Sequence, residues 1–223
     1  MTTRLPGTVP AMQGAQGSKG LYALKPWYTR RLDGAIRLAQ RRGLSPDVFT
    51  VLGVLSALLA GGAIAAGWWP AALLLLAGRL AGANLDGAVA RARGVSRPWG
   101  FVLNEAGDRV SDLLMFAGLA VLAVREPATV LVSGSLTSVV WVLVATTAAT
   151  LPTLVSLSGA GAGSTRLNGG PFGKTERCAV VVLATAVPAW IPVVALLVVA
   201  GSVATAVARL RRVHAELSAA RSR

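Results

Sequence analysis

Long apolar runs alternate with short polar segments along most of this chain. Each of the first four runs approaches the roughly 20 residues that a helix needs to cross a bilayer. The apolar run at 178–208 is too long for one span, and Pro188, Trp190 and Pro192 predict a turn that divides it into a fifth and a sixth helix. The first four predicted spans cover, approximately, residues 47–68, 70–91, 101–124 and 128–157. We therefore predict an all-α, polytopic membrane protein with six transmembrane helices.

The segment before the first span is of a different kind. Its first 24 residues are polar and glycine-rich and lack the apolar stretch of a cleavable signal peptide, so we expect a disordered cytoplasmic tail. Beyond it, Tyr28, Leu32 and Ile36 fall on one helical stripe and arginines fall on another, which predicts an amphipathic helix lying at the membrane interface. The predicted units are a tail at 1–24, an interfacial helix at 25–44, a six-helix domain at 45–213 and a basic cytoplasmic tail at 214–223.

The charges indicate how these helices cross the membrane. The chain has 22 Lys and Arg residues against 9 Asp and Glu residues, a net charge of +13. In a soluble protein this excess would indicate nucleic acid, but here the basic residues collect in alternate loops and near the C-terminal end, as the positive-inside rule requires. We therefore expect a bacterial-type inner membrane protein with both termini in the cytoplasm, membrane lipids as neighbours and no nucleic-acid partner. The only cysteine, Cys178, and the only histidine, His214, receive no functional role.

Polar residues within the second and third predicted spans mark a candidate site. Ionisable groups inside a span cost several kcal/mol unless they line a polar cavity or bind something. Asp86 lies near one end of the second span, and Asn104, Asp108 and Asp112 recur every four residues at the start of the third, so they share one helical face. Together with Glu105 they predict a pocket that opens to the cytoplasm.

A structural interpretation of the same residues stays open. Asp108 is able to pair with Arg109 or Arg91 at the headgroup boundary, and Asp86 is able to cap a helix end. Lys174 is placed either to hold an anionic acceptor or only to satisfy the positive-inside rule. The convergence of several acids on one basic loop favours a site.

The spacing of these residues resembles a known signature. From Asp86 the chain reads DGAVAR, then eight residues to Gly100, three to Asn104 and three more to Asp108. This is similar to the CDP-alcohol phosphatidyltransferase pattern D-x2-D-G-x2-A-R-x8-G-x3-D-x3-D, and the resemblance extends over about residues 27–213. The positions that match are Asp86, Gly87, Ala90, Arg91, Gly100 and Asp108.

This resemblance implies a transferase that moves a phosphatidyl-type group from a CDP-linked lipid, typically CDP-diacylglycerol, to an alcohol, with release of CMP. It further implies Mg²⁺ or Mn²⁺ as cofactor, a homodimer, and Asp108 as the general base. The implied metal ligands are Asp86, Asn104 and Asp108, with Asp112 as a second choice. The implied substrate contacts are Gly87, Ala90, Arg91, Gly100, Thr50, Arg79 and Lys174.

Two positions depart from the signature. The first aspartate is replaced by Ala83 and the third by Asn104, so two carboxylates at the four positions would face two dications. Arg79, one helical turn before Ala83, either replaces metal charge in holding a diphosphate or pairs with Asp86 or a backbone carbonyl. A one-metal site also stays open. The alternative functions are a catalytically silent member that binds a nucleotide lipid or partners an active enzyme, and a small transporter.

Overall fold

The structure is a computed structural model that describes residues 30–126 and 135–221. Helices dominate these parts of the chain, and no strand occurs in them. The predicted tail at 1–24 lies outside the described residues, as does the start of the predicted interfacial helix. The helices are α1 Asp33–Arg41, α2 Pro46–Ala65, α3 Trp69–Ala92, α4 Pro98–Arg125, α5 Ser135–Gly161, α6 Lys174–Ala186, a 3₁₀ turn Pro188–Trp190 and α7 Ile191–Arg221.

Local sequence signals set the ends of α2. The Ser45 hydroxyl accepts a hydrogen bond from the Asp47 backbone N–H at 3.3 Å, and Pro46 occupies the first helical position. Asp47 adds a negative charge to the first turn, where it complements the helix dipole. The chain leaves the helix at Gly67, whose φ of 72° is the left-handed conformation that glycine adopts readily.

Small residues hold α2 against both α3 and α4. A Cβ added to Gly82 of α3 would lie 2.8 Å from Gly53 Cα, and a Cβ added to Gly118 of α4 would lie 2.3 Å from the Gly61 carbonyl oxygen. Such close backbone approach is typical of helices packed in a membrane. The central helix α2 therefore fixes the positions of α3 and α4, the two helices that carry the predicted site.

Four of the described helices are long and apolar enough to cross a membrane: Pro46–Ala65, Trp69–Ala92, Thr137–Gly161 and Pro188–Ala220. The predicted count of six spans also requires α4, whose first half is charged, and α6, which has 13 residues. The 3₁₀ turn between α6 and α7 lies where the prolines predict a turn. The described fold is therefore all-helical with four candidate membrane spans, and the six-span count stays a prediction.

The two ends of the described chain both pack onto the bundle. Ala39 of α1 is fully buried beside Val89 of α3, so the first helix is attached by its apolar face. Helix α7 continues as far as Arg221, through most of the segment predicted as a basic tail. On it, Glu216 accepts hydrogen bonds from the Ser164 hydroxyl at 2.7 Å and the Thr165 backbone N–H at 2.8 Å. The last helix thereby holds the loop that precedes α6.

Candidate active site

A small cavity lies where α2, α3 and α4 meet. Its volume is about 10 Å³, which is space for roughly one water molecule. The signature residues that line it come from two helices, with Asp86 on α3 and both Asn104 and Asp108 on α4. The remaining lining residues are Thr50, Gly53, Val54, Arg79, Ala83, Gly107 and Ser111. The structure therefore brings together the polar residues that the spacing predicts to converge.

Asp86 is the polar centre of this cavity. Its carboxylate is buried, with 5% of the residue exposed, and it accepts a hydrogen bond from the Thr50 hydroxyl at 3.0 Å. The Asn104 side-chain amide donates to the same carboxylate oxygen, and the Gly87 backbone N–H donates to the other. The chain itself thus supplies three donors to Asp86, so this buried carboxylate is stabilised by hydrogen bonds from α2, α3 and α4.

Asp108 is paired with a lysine from another helix. The Lys174 ammonium contacts the Asp108 carboxylate at 2.5 Å, and both side chains are partly exposed, at 25% and 15%. Lys174 is the first residue of α6, where the Gly173 backbone N–H donates to the Glu176 carboxylate at 2.9 Å. The start of α6 is thereby fixed, and with it the position of Lys174. Lys174 therefore contacts a residue that lines the cavity.

Asp112, one turn further along α4, contacts three arginines and does not line the cavity. Arg79 forms a buried ion pair with it, Arg177 contacts it at 2.9 Å and Arg109 at 3.3 Å. Arg79 also donates to the Cys178 sulfur at 3.1 Å. Three helices, α3, α4 and α6, are therefore joined by one buried carboxylate. From the sequence, the expected partner of Arg79 is Asp86 or a backbone carbonyl. The structure instead pairs Arg79 with the Asp112 carboxylate, and Arg79 also donates to the Asp108 carbonyl oxygen at 3.4 Å.

A basic cluster lies beside this network. Arg166 forms an ion pair with Glu105, and its guanidinium carbon lies 4.8 Å from the centre of the Phe101 ring. The Nε atoms of Arg109, Arg166 and Arg177 are buried, and within the described residues no hydrogen-bond partner reaches them. Buried donors without partners are uncommon in proteins, and the three donors on these arginines favour an anionic ligand.

The other predicted contacts lie around the mouth of the site. The Arg91 guanidinium lies over Gly87, since its Nη1 atom would be 3.2 Å from a Cβ at that position. Arg91 is exposed, and no ion pair engages it in the described part of the chain. Gly100 lies one turn before Asn104, where only the Arg97 side chain would approach an added Cβ, and Ala90 is half-buried on α3.

The sequence alone did not identify every member of this site. Cys178 received no role, but the structure places it in contact with Arg79 at the centre of the buried network. The two further arginines that bind Asp112 were assigned to loops or helix ends. One feature of the sequence is shared by these two arginines: Arg109 directly follows Asp108, and Arg177 directly precedes Cys178.

The carboxylates do not fit a two-metal centre of the kind that the signature implies. Among residues 30–126 and 135–221, no group of three Asp, Glu, His or Cys side chains is arranged to hold a metal ion together. Ala83 has no side-chain atom that could bind a metal. Lys174 forms an ion pair with Asp108, and Asp112 forms ion pairs with arginines. Tight binding of dications requires several free oxygen ligands with net negative charge.

The similarity of this chain to known proteins lies in its structure. No family profile matches the chain, and no curated protein sequence matches it. Solved structures do match. The phosphatidylinositol phosphate synthase PgsA1 of Mycobacterium tuberculosis with CDP-DAG bound is 26% identical, with a TM-score of 0.68 over 82% of this chain and 94% of that one. The same enzyme in complex with manganese and citrate is 26% identical, with a TM-score of 0.66 over 81% and 87% of the two chains.

In its fold the chain is therefore similar to a phosphatidylinositol phosphate synthase, an enzyme of the CDP-alcohol phosphatidyltransferase family, which confirms the resemblance found in the sequence. The neighbours described here are structures of one enzyme, phosphatidylinositol phosphate synthase. Its apo form has a TM-score of 0.64 and 25% identity over 81% of this chain.

Proposed function

We propose that this protein transfers a phosphatidyl-type group from a CDP-linked lipid, CDP-diacylglycerol, to an alcohol in phospholipid biosynthesis. The observation that carries the proposal is the meeting of Asp86, Asn104 and Asp108 in one cavity, at the spacing of the transferase signature. The neighbouring synthase binds CDP-DAG, so the same class of donor is proposed here.

The donor is proposed to lie at the mouth of the cavity, since the cavity itself has space for about one water. Arg91 is exposed there and supplies a guanidinium that is able to bind phosphate oxygens with two parallel hydrogen bonds. Gly87 and Ala90 are small, so the nucleotide is able to approach the backbone of α3. Thr50 positions Asp86, whose carboxylate in turn orients the surrounding donors.

Asp108 is proposed as the general base. It is partly exposed at the cavity, unlike Asp112, and its carboxylate is within reach of a group entering from the side of α6. In the reaction the acceptor oxygen forms a bond to the lipid-side phosphorus while the bond from that phosphorus to the CMP oxygen breaks. The proton of the acceptor hydroxyl passes to an Asp108 carboxylate oxygen. Lys174 contacts this carboxylate and fixes its position at the cavity.

The acceptor is proposed to be a phosphorylated alcohol. The basic cluster of Arg109, Arg166 and Arg177 has three buried Nε atoms without hydrogen-bond partners among the described residues. Asp112 links it to the cavity, because Arg109 and Arg177 contact this carboxylate together with Arg79. A phosphate group supplies the acceptor atoms that these donors lack. The name of the neighbouring enzyme, phosphatidylinositol phosphate synthase, agrees with this class of acceptor.

The setting of the reaction is also part of the proposal. Six spans in a bacterial inner membrane, both termini in the cytoplasm and a homodimer follow from the charge pattern and from the family resemblance. Membrane lipids would contact the apolar side chains that the helices expose, such as Leu58, Leu74 and Leu143. The site then opens to the cytoplasm, where a water-soluble acceptor is available.

A second candidate is a catalytically silent protein that binds a nucleotide lipid or partners an active enzyme. The observation that favours it is the ion pair of Asp108 with Lys174, combined with the loss of two carboxylates at Ala83 and Asn104. In this case the donor binds but no CMP is released.

The test is CMP release by the purified protein given CDP-diacylglycerol and a panel of free and phosphorylated alcohols, in Mg²⁺, in Mn²⁺ and in chelator. We expect release with a phosphorylated alcohol, and a loss of about 10²- to 10⁴-fold in Asp108→Asn, as for removal of a general base. Asp33→Asn on α1 is the control and is expected to leave the rate unchanged. Binding of CDP-diacylglycerol without CMP release under any condition would favour the silent protein instead.

A further inference from the structure

We infer that basic side chains of this protein take the place of divalent cations, so that the site binds the diphosphate of a CDP-linked lipid without a metal ion. This inference rests on the proposed function, since it concerns the same donor at the same site. It is carried by the charge balance of the site, by the state of its carboxylates and by the space between them.

The cavity and the ion-pair network around it together already carry a positive charge. Five ion pairs connect the cations Arg79, Arg109, Arg166, Lys174 and Arg177 to the carboxylates of Asp108, Asp112 and Glu105. With Asp86 included, five cations face four carboxylates, a formal charge of +1. Two dications would raise this to +5 within a partly buried site, which is strongly unfavourable in a low dielectric. A diphosphate, by contrast, would bring the balance close to neutrality.

The oxygen atoms that a metal would need are already engaged by the protein. Both oxygens of Asp86 accept hydrogen bonds, from Thr50, Asn104 and Gly87. In this arrangement the Asn104 side chain turns its amide donor towards Asp86, so it adds a hydrogen and not a ligand oxygen. The cavity volume of about 10 Å³ leaves room for one water-sized particle between these groups, and two cations with their hydration do not fit.

Arg79, the arginine that replaces metal charge, lies on α3, the helix on which Ala83 stands at the first aspartate position of the signature. Arg79 and Ala83 lie one turn apart on α3, and both line the cavity. The Arg79 side chain is only 1% exposed and is fixed by Asp112, so its charge is permanent and does not have to be assembled when the substrate binds. It acts as a buried countercharge and does not need to touch the phosphate.

Two cations that are more accessible than Arg79 contact the diphosphate directly. Arg91 is exposed at the end of α3, and Lys174 is 25% exposed at the start of α6, on the side of Asp108. Guanidinium and ammonium groups bind phosphate through charge-assisted hydrogen bonds. The site thus combines a permanent buried charge with two partly or fully exposed cations at its mouth.

The test measures metal and lipid binding separately and without turnover. The protein in lipid nanodiscs is titrated with Mn²⁺ while free Mn²⁺ is followed by electron paramagnetic resonance, and CDP-diacylglycerol binding is measured in chelator and in Mg²⁺. We expect no uptake of Mn²⁺ by the protein at concentrations up to about those of cellular divalent cations, and lipid affinities that agree within about twofold in the two conditions. The Ala83→Asp, Asn104→Asp double variant is expected to take up Mn²⁺, and Ala83→Asp alone serves if the double variant does not fold.

A second variant tests the direct contact. Arg91→Ala is expected to weaken CDP-diacylglycerol binding by about tenfold or more, equally in chelator and in Mg²⁺, as for loss of one charge-assisted hydrogen bond. Arg211→Ala, an exposed arginine on α7, is the matched control and is expected to bind as the unaltered protein does.

The outcomes separate this inference from the proposed function. Lipid binding that falls more than about tenfold in chelator, or stoichiometric uptake of Mn²⁺ by the unaltered protein, overturns the inference and leaves the transferase proposal standing. Absence of lipid binding in both conditions overturns the proposed function and the inference together. Equal binding in both conditions, with no Mn²⁺ uptake, supports the inference.

Discussion

Asp112 is the residue whose replacement tests most directly how this bundle is held together. Asp112→Asn keeps the shape of the side chain but removes the charge that three arginines share. The side chains of Asp112, Arg79 and Arg177 are 6%, 1% and 5% exposed, so the arginines have little access to water. Breaking a buried ion pair by removal of one partner costs about 3–5 kcal/mol, because the other charge stays buried without compensation. We expect the lower end, about 3 kcal/mol, since the asparagine oxygen still accepts one hydrogen bond.

A buried cysteine in the same network can be used to measure when the network opens. Cys178 is the only cysteine of the chain, is 4% exposed and contacts Arg79. Heating the protein in detergent with a thiol-reactive fluorogenic maleimide therefore follows the exposure of this one position. For a domain of this size a loss of 3 kcal/mol lowers the midpoint by roughly 6–12 °C.

An exposed ion pair provides the control for this measurement. Arg97 and Asp47 are paired, but their side chains are 53% and 29% exposed, so Asp47→Asn is expected to cost at most about 1 kcal/mol. Equal midpoints for Asp112→Asn and Asp47→Asn would refute the reasoning, because they would show that burial does not increase the cost of losing this charge.

Two further variants test the packing and the loop. Gly118→Ala places a Cβ 2.3 Å from the Gly61 carbonyl oxygen and is expected to lower stability by about 1–3 kcal/mol in the same thermal assay; Gly62→Ala, which meets nothing within 4 Å, is expected to be neutral or slightly stabilising. Glu216→Gln weakens the hydrogen bonds to the loop before α6 and is expected to speed amide hydrogen exchange at Thr165 by several-fold, while exchange in α2 stays the same.

Much of the fold could be predicted from the hydrophobic pattern, because the bilayer imposes its length on each apolar run. The predicted start of the first span at residue 47 agrees with α2, which begins at Pro46, and the prolines after Val187 end α6 where a turn is expected. Convergence of Asp86, Asn104 and Asp108 could also be predicted. Helical periodicity places Asn104 and Asp108 on one face, and a short loop connects their helix to the end of the helix that carries Asp86.

The pairing of charges could not be predicted in the same way. Arg79 had several possible partners, and the choice of Asp112 over Asp86 depends on the rotation of α3 against α4, which the close packing on α2 determines. The contact of Lys174 with Asp108 depends on the position of the start of α6 along α4. These two residues are more than 60 positions apart in the chain. Sequence spacing fixes neighbours on one helix but not the partners that another helix supplies.

The bond between Glu216 and the Ser164–Thr165 segment has a practical consequence for any work on this protein. Because the final helix is fastened to the loop that leads into α6, a truncation before residue 216 removes a support from the segment that presents Lys174. Shortened forms made to aid crystallisation, or fusions that displace the end of α7, would thus disturb the position of Lys174 at a distance. An affinity tag is better placed at the other end of the chain.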